Sequence, residues 1–281
     1  MHSVGIELSK QLADAVEHAA SSIVRVEGRR HLASSGIVWA EGIVVTAAHT
    51  VHRPDGIHVT LANGDTVEGT LAGRDEGTDI AVLRVEGATS PITWSDAPPR
   101  AGEIAIAAGR PGRGARATVG FVTGVGGPWR TRDGGRIDAI VEVEAHLPPG
   151  FSGGPLLAVD GRAIGMNTSR LVRGGTTIPH ATLARVTHEL LEHGTVRRPA
   201  LGVAVYPVER GLVVLSVQRQ SAAESAGILV GDVLEAIGAT ELNDPHALRE
   251  ALQSLTIGDA SSLRITRGGE RRDVAVTVGA V

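Results

Sequence analysis

A chain of 281 residues with 42% apolar side chains is long and apolar enough for two folded domains, at roughly 100–200 residues each. Aromatic residues make up only 2%, so valine, isoleucine, leucine and alanine must fill the cores. Acidic and basic residues are mixed along the chain to a net charge of −4, which gives no nucleic-acid footprint. The absence of cysteine excludes disulfides and thiolate metal sites.

Residues 1–10 have no basic start followed by an apolar stretch, so no signal peptide is visible, and no apolar run reaches membrane-spanning length. The expectation is a soluble protein, either cytoplasmic or processed and exported to the periplasm or beyond. Residues 8–20 read as an amphipathic helix, with Leu8, Leu12, Val16 and Ala19 at helical spacing. From Ile23 to Val205 short Val/Ile-rich runs alternate with Gly, Asn, Asp and Pro clusters. Ile43-Val44-Val45 and Ile80-Ala81-Val82-Leu83 are examples, and Asn63-Gly64 marks a hairpin turn between two such runs. Many short strands with regular turns predict an all-β barrel or sandwich. One helix interrupts them, with Thr182 as its cap, an apolar face of Leu183, Val186, Leu190 and Leu191, and Gly194 as its terminator.

Thr195 to Ala200 reads as a linker. Beyond it, strands near Val203–Tyr206 and Leu212–Val217 precede a short helix at Ala222–Ala226. A second helix is capped by Asp244, with Pro245 in its first turn and Leu248, Ala251 and Leu252 on one face. A hairpin turning at Gly268-Gly269 completes a small α+β module. No internal repeat is present.

Three segments carry chemistry. A strand, Val44-Val45-Thr46-Ala47-Ala48-His49, runs into a histidine. Asp79 stands at the mouth of the strand Ile80–Leu83. Ser152 sits in the Gly-rich loop Pro149-Gly150-Phe151-Ser152-Gly153-Gly154-Pro155. The order His, Asp, Ser on a β scaffold points to nucleophilic acyl transfer. Two other motifs lead nowhere. Gly112 to Ala117 superficially resembles a dinucleotide loop, but no helix is expected after it. His49 and His52 lack the further ligands of a zinc site, so no metal and no cofactor is expected.

On these motifs the chain resembles the HtrA family of trypsin-like serine proteases. Ser35-Gly36-Ile37-Val38, Gly109-Arg110-Pro111, Val119-Gly120-Phe121-Val122, Gly161 to Asn167 and Ile178-Pro179 extend the match. The resemblance implies a mainly β fold: a chymotrypsin-like double β-barrel over residues 1–196, followed by a small α+β PDZ domain over residues 199–281. Its implied chemistry is peptide-bond hydrolysis in exposed or misfolded polypeptides. His49 takes the proton of Ser152, Asp79 fixes the tautomer of His49, and the N–H groups of Gly150 and Ser152 form the oxyanion hole. A catalytically silent chaperone or scaffold of the same fold, or a narrow-specificity processing protease, remains open.

The chain departs from the family pattern where Phe151 and Pro148 replace the usual asparagines. The pair Pro148-Pro149 is expected to stiffen the loop that carries the oxyanion hole. By analogy with trypsin-like enzymes His146 reaches the base of the primary specificity pocket, where it shortens the pocket, favours an acidic side chain or turns outward. The loop from Thr168 to Thr177, with Arg170 and Arg173, should border that pocket, with Thr176 and Thr177 at its end. The segment Gly124–Arg136, with Trp129 at its middle, corresponds to the family's sensor loop. In the PDZ domain Leu201, Gly202 and Val203 match the carboxylate-binding loop, and Leu248 and Leu252 complete a candidate groove for peptide C-termini. A homotrimer is implied as well, although the aromatics that build it in the family are missing from residues 1–22.

Overall fold

Strands in this chain are short because glycine-rich turns interrupt them, and many are apolar throughout because both of their faces are buried. The computed structural model describes residues 4–29, 32–172 and 175–280. Arg173 lies outside the described residues. The chain forms two compact units, Met1–Val196 and Arg197–Val281.

The first unit opens with helix α1 (Val4–Ala20), which starts earlier than the apolar spacing from Leu8 suggests. Six strands then close into a barrel: β1 (Ile23–Glu27), β2 (Ser34–Ala40), β3 (Ile43–Ala47), β4 (Ile57–Thr60), β5 (Thr66–Asp75) and β6 (Ile80–Val85). The strand order is β1-β2-β3-β6-β5-β4, and β4 pairs back onto β1. One face of these strands, with Val24, Val38, Val44, Val59 and Leu83, fills the barrel. The other face, with Ile23, Ile37, Val45, Ile80 and Val82, packs into a separate core. The runs Ile43–Val45 and Ile80–Leu83 are therefore apolar without alternation because neither face meets water.

The second sheet contains β7 (Ile104–Gly109) and β8 (Arg116–Gly126). A small hairpin follows, β9 (Trp129–Arg130) with β10 (Arg136–Ile137). The remaining strands are β11 (Ile140–Glu144), β12 (Pro155–Leu157), β13 (Ala163–Thr168) and β14 (Thr176–Pro179). Its order is β11-β8-β7-β12-β13-β14, and the outer strands β11 and β14 approach each other, which makes it barrel-like. Helix α2 (His180–His193) covers the shared core with Leu183, Val186 and Leu190 and stops at Gly194, whose φ of 72° ends the helix. Thr182 is not the cap. Pro179 holds that position without a side-chain bond, and the Thr182 hydroxyl instead donates to Asp138 Oδ2 at 3.0 Å and accepts from Asp138 N–H at 2.8 Å. A threonine before an apolar face looks like a cap in sequence, but a distant carboxylate claims it here.

The second unit begins with β15 (Pro199–Ala200), β16 (Val203–Val208), β17 (Gly211–Val217), α3 (Ala222–Ser225) and β18 (Val233–Ile237). It continues with β19 (Thr240–Glu241), α4 (Pro245–Gln253), β20 (Ala260–Arg267), β21 (Glu270–Thr277) and β22 (Gly279–Ala280). Its main sheet runs β16-β17-β18-β20-β21, so β16 is an edge strand. Asp244 caps α4 by accepting from Ala247 N–H at 2.8 Å, and Leu248, Ala251 and Leu252 are the buried face. Ser221 caps α3 in the same way, accepting from Glu224 N–H at 3.1 Å.

Candidate active site

His49 lies in a short 3₁₀ turn directly after β3, and Asp79 directly before β6. Because β3 and β6 pair in register, with Ala47 opposite Ile80, the two residues meet at one end of the barrel. Asp79 sits at φ 59°, a left-handed conformation that a non-glycine residue holds only when its surroundings fix it. Its surroundings do. Its carbonyl accepts from Ala48 N–H at 3.1 Å, and its Oδ1 accepts from His49 N–H at 2.8 Å. Its Oδ2 accepts from His49 Nδ1 at 2.8 Å and also from the Thr168 hydroxyl. Asp79 is fully buried and its carboxylate can only accept, so Nδ1 carries the proton and Nε2 is left as a base.

The Ser152 loop is built from a tight turn. Phe151 N–H donates to Pro148 O at 3.1 Å, with Pro149 and Gly150 at the centre and Gly150 at φ 91°. Proline at the second position and a positive-φ glycine at the third make a type II turn. A Cβ at Gly150 would also lie 2.6 Å from Pro111 Cβ and 2.8 Å from Ala33 O. Phe151, next in the chain, is buried among Ala105, Ala107, Val122, Val141, Leu156 and Ile164. The aromatic ring thus anchors the loop in the second barrel, where burial stabilises it by about 1.5–3 kcal/mol. Among the described residues, neither Gly150 N–H nor Ser152 N–H donates to a protein acceptor.

Ser35 ties this loop to the first barrel. Its hydroxyl donates to Gly150 O at 2.7 Å and accepts from Arg110 N–H at 2.7 Å, and its own N–H donates to Ser152 O at 3.1 Å. The Arg110 guanidinium is held by carbonyls alone: Ile23 O at 2.6 Å, Ala20 O at 2.7 Å and Arg113 O at 3.0 Å. Burial lowers its pKa, and the carbonyl at Ala20 is the negative end of α1, which keeps the cation favourable there.

The hydrogen-bond partner of Ser152 Oγ is Ser169 rather than His49. The two hydroxyl oxygens are 3.1 Å apart, and Ser169 N–H donates to Ser152 Oγ at 3.3 Å. Among the described residues no hydrogen bond joins Ser152 Oγ to His49 Nε2. The turn between β9 and β10 reaches the same place from two sides. The Thr131 hydroxyl donates to Gly77 O at 2.7 Å, two residues from Asp79, and Asp133 pairs with Arg170 at 3.5 Å.

The remaining candidates are spread out. His146 is exposed, and its carbonyl accepts from the Thr118 hydroxyl at 2.6 Å. Thr176 and Thr177 instead line a recess of about 10 Å3 with Ala145, Leu147, Asn167 and Gly175, a space at the limit for one water. Asn167 joins that recess to the nucleophile loop, because its carbonyl accepts from Gly153 N–H at 2.9 Å. In the second unit Leu201, Leu248 and Leu252 are buried, and Val203 and Val205 are half-buried on β16. Gly202 O accepts from Gln218 N–H at 2.8 Å, while the N–H groups of Leu201 and Gly202 have no acceptor among the described residues.

Thr168, Ser169 and the clamp made by Ser35 are the functional side chains that sequence reasoning missed. Ser35 lay within a matched motif, Thr168 ends the strand Ala163–Thr168 and Ser169 directly follows it, so position alone hinted at both.

Residues 34–166 match the family model for a trypsin-like peptidase domain, and residues 199–278 match that for a PDZ domain. A probable periplasmic serine endoprotease, DegP-like, of Brucella suis is 31% identical over 271 residues, covering 88% of this chain and 52% of its own length. The relative of the same name from Chlamydia trachomatis is 33% identical over 267 residues, covering 86% of this chain and 52% of its own. The chain thus spans about half the length of these curated relatives. Among solved structures, the serine endoprotease from Yersinia pestis superposes with a TM-score of 0.69 at 25% identity, covering 96% of this chain and 98% of the other. The HtrA-type protease AlgW with a decapeptide gives 0.67 at 26% identity, with the same coverage of both chains. With a trypsin-like peptidase domain followed by a PDZ domain, the chain belongs with the HtrA-type serine proteases.

Proposed function

We propose that the chain is a serine endopeptidase that cleaves exposed or misfolded polypeptides through an acyl-enzyme. His49 Nε2 takes the proton of Ser152 Oγ as that oxygen attacks the scissile carbonyl, and Asp79 stabilises the resulting imidazolium. The carbonyl oxygen becomes negative in the tetrahedral intermediate, and the N–H groups of Gly150 and Ser152 receive it. One such donor typically contributes about 3–4 kcal/mol. His49 then gives its proton to the leaving amine, and water repeats the sequence in reverse to free Ser152. The observation that carries the reading is the buried Asp79–His49 pair beside two backbone donors that have no acceptor.

Labelling with a fluorophosphonate probe tests it. Wild type becomes labelled and Ser152→Ala does not. The pairing of Ser152 with Ser169 favours a second reading, a catalytically silent scaffold. Folded wild type that stays unlabelled, with and without C-terminal peptides, would select that reading.

Substrate selection is proposed to use two places. The recess lined by Leu147, Thr176 and Thr177 has room for about one water, so it would turn away large side chains and admit only the smallest. His146, exposed beside it in sequence, would instead attract an acidic one, and a substrate profile unchanged in His146→Ala removes it from the pocket. In the PDZ domain the edge strand β16 and helix α4 offer a peptide C-terminus a strand partner and a carboxylate site at the Leu201 and Gly202 N–H groups. Amidating that terminus should weaken binding by about tenfold or more. The relatives' names also suggest a periplasmic setting for this chain.

A further inference from the structure

Ser152 Oγ has one proton and must direct it at His49 Nε2 for attack. Its hydrogen-bond partners in the structure are instead two groups of Ser169, the hydroxyl oxygen at 3.1 Å and the N–H at 3.3 Å. We propose that Ser169 is a latch that parks the nucleophile: its hydroxyl competes with His49 for Ser152 and holds it in a resting position. The inference rests on the peptidase reading above.

Adjacent residues divide the labour. Thr168 is fully buried and donates to Asp79, which fixes the base side of the site. Ser169 follows it, is exposed, and engages the nucleophile. Ser152 is only 8% exposed, so a chain entering the site meets Ser169 first. Contact with the exposed side releases Ser152, whose hydroxyl then turns to donate to Nε2. The segment beyond Ser169 is tied by the Asp133–Arg170 ion pair, whose side chains are 53% and 45% exposed, a weak restraint that binding can break. Alanine at 169 retains the backbone contact and removes the hydroxyl, so it isolates the latch.

The test compares wild type, Ser169→Ala and Ser169→Thr in fluorophosphonate labelling and peptide hydrolysis, with a crystal structure of the alanine variant. Loss of one neutral hydrogen bond should speed labelling about two- to tenfold. The gain should appear in kcat with KM little changed, and Ser169→Thr, which keeps a hydroxyl, should stay slower than Ser169→Ala. In the crystal Ser152 Oγ should face His49 Nε2. Where wild type is labelled, labelling of Ser169→Ala at or below its rate overturns the latch, and so does a Ser152 side chain that has not moved in the variant. If neither protein is labelled although Ser152 has turned in the variant, the latch stands and the peptidase reading falls.

Discussion

The Ser35 hydroxyl bridges Gly150 O and Arg110 N–H, at 2.7 Å on each side, and so joins the loop that carries the proposed oxyanion donors to the strand end at Gly109. The peptide between Gly150 and Phe151 is therefore held at both ends, its carbonyl by Ser35 and its N–H by Pro148 O. Ser35→Ala leaves two buried groups unsatisfied and should destabilise the first unit by about 1–3 kcal/mol in urea unfolding. It should also lower kcat about tenfold with a smaller change in KM, since a misaimed donor acts on the transition state. A loss confined to KM would show that the clamp does not orient the donors.

Thr168 makes the equivalent prediction for the base. Its hydroxyl donates to the same Asp79 oxygen that receives His49 Nδ1. Thr168→Val keeps the shape and removes the donor, so the buried carboxylate loses one of its bonds. The expected result is a roughly tenfold lower kcat/KM, against about 10⁴-fold lower kcat for Asp79→Asn, which places the wrong tautomer beside Ser152.

The three catalytic candidates were legible because each sits at the end of a strand or in a glycine-rich turn, where local pattern marks it. Ser35, Thr168 and Ser169 were not, because their roles depend on partners far away in the chain: Ser35 meets Gly150 and Thr168 meets Asp79. The barrels were visible as short strands, and the apolar runs at Ile43 and Ile80 acquire their reason only once a second core is seen on their outer face. Thr182 shows the opposite failure, where a good local signal is overruled by Asp138.

The PDZ unit carries its own acid sensitivity. Arg267 donates to both Asp232 oxygens at 2.7 Å, and this pairing, with Leu229 N–H, holds the Asp232 carboxyl below its usual range. A carboxylate whose pKa falls on folding contributes stability that is complete above its unfolded value of about 3.9 and lost as pH falls through the folded one. The unfolding midpoint of the second unit in the full chain should therefore drop as acid is added below about pH 4. Asp232→Asn should lower the midpoint at neutral pH and flatten that acid limb. An equally steep limb in the variant would assign the acid sensitivity to other carboxylates.

Besides the Ser35 clamp, the proposed oxyanion loop has two restraints that act at different levels. Pro149 sets the second position of the type II turn in both folded and unfolded chains, so Pro149→Ala should cost about 0.4–1 kcal/mol, mainly through chain entropy. Phe151 acts only in the folded state, through a ring that is 1% exposed in the second barrel's core. Phe151→Ala should cost about 3–5 kcal/mol, the sum of lost burial and the cavity left behind. Activity should separate the two. In Pro149→Ala the central peptide of the turn rotates more readily, so basal hydrolysis falls and activation by added C-terminal peptide grows. Loss of the ring in Phe151→Ala should lower activity through unfolding, and stabilising osmolyte should restore it. If peptide activation is already large in wild type and unchanged in Pro149→Ala, the proline does not stiffen this loop, and the buried phenylalanine and the Ser35 clamp set its position.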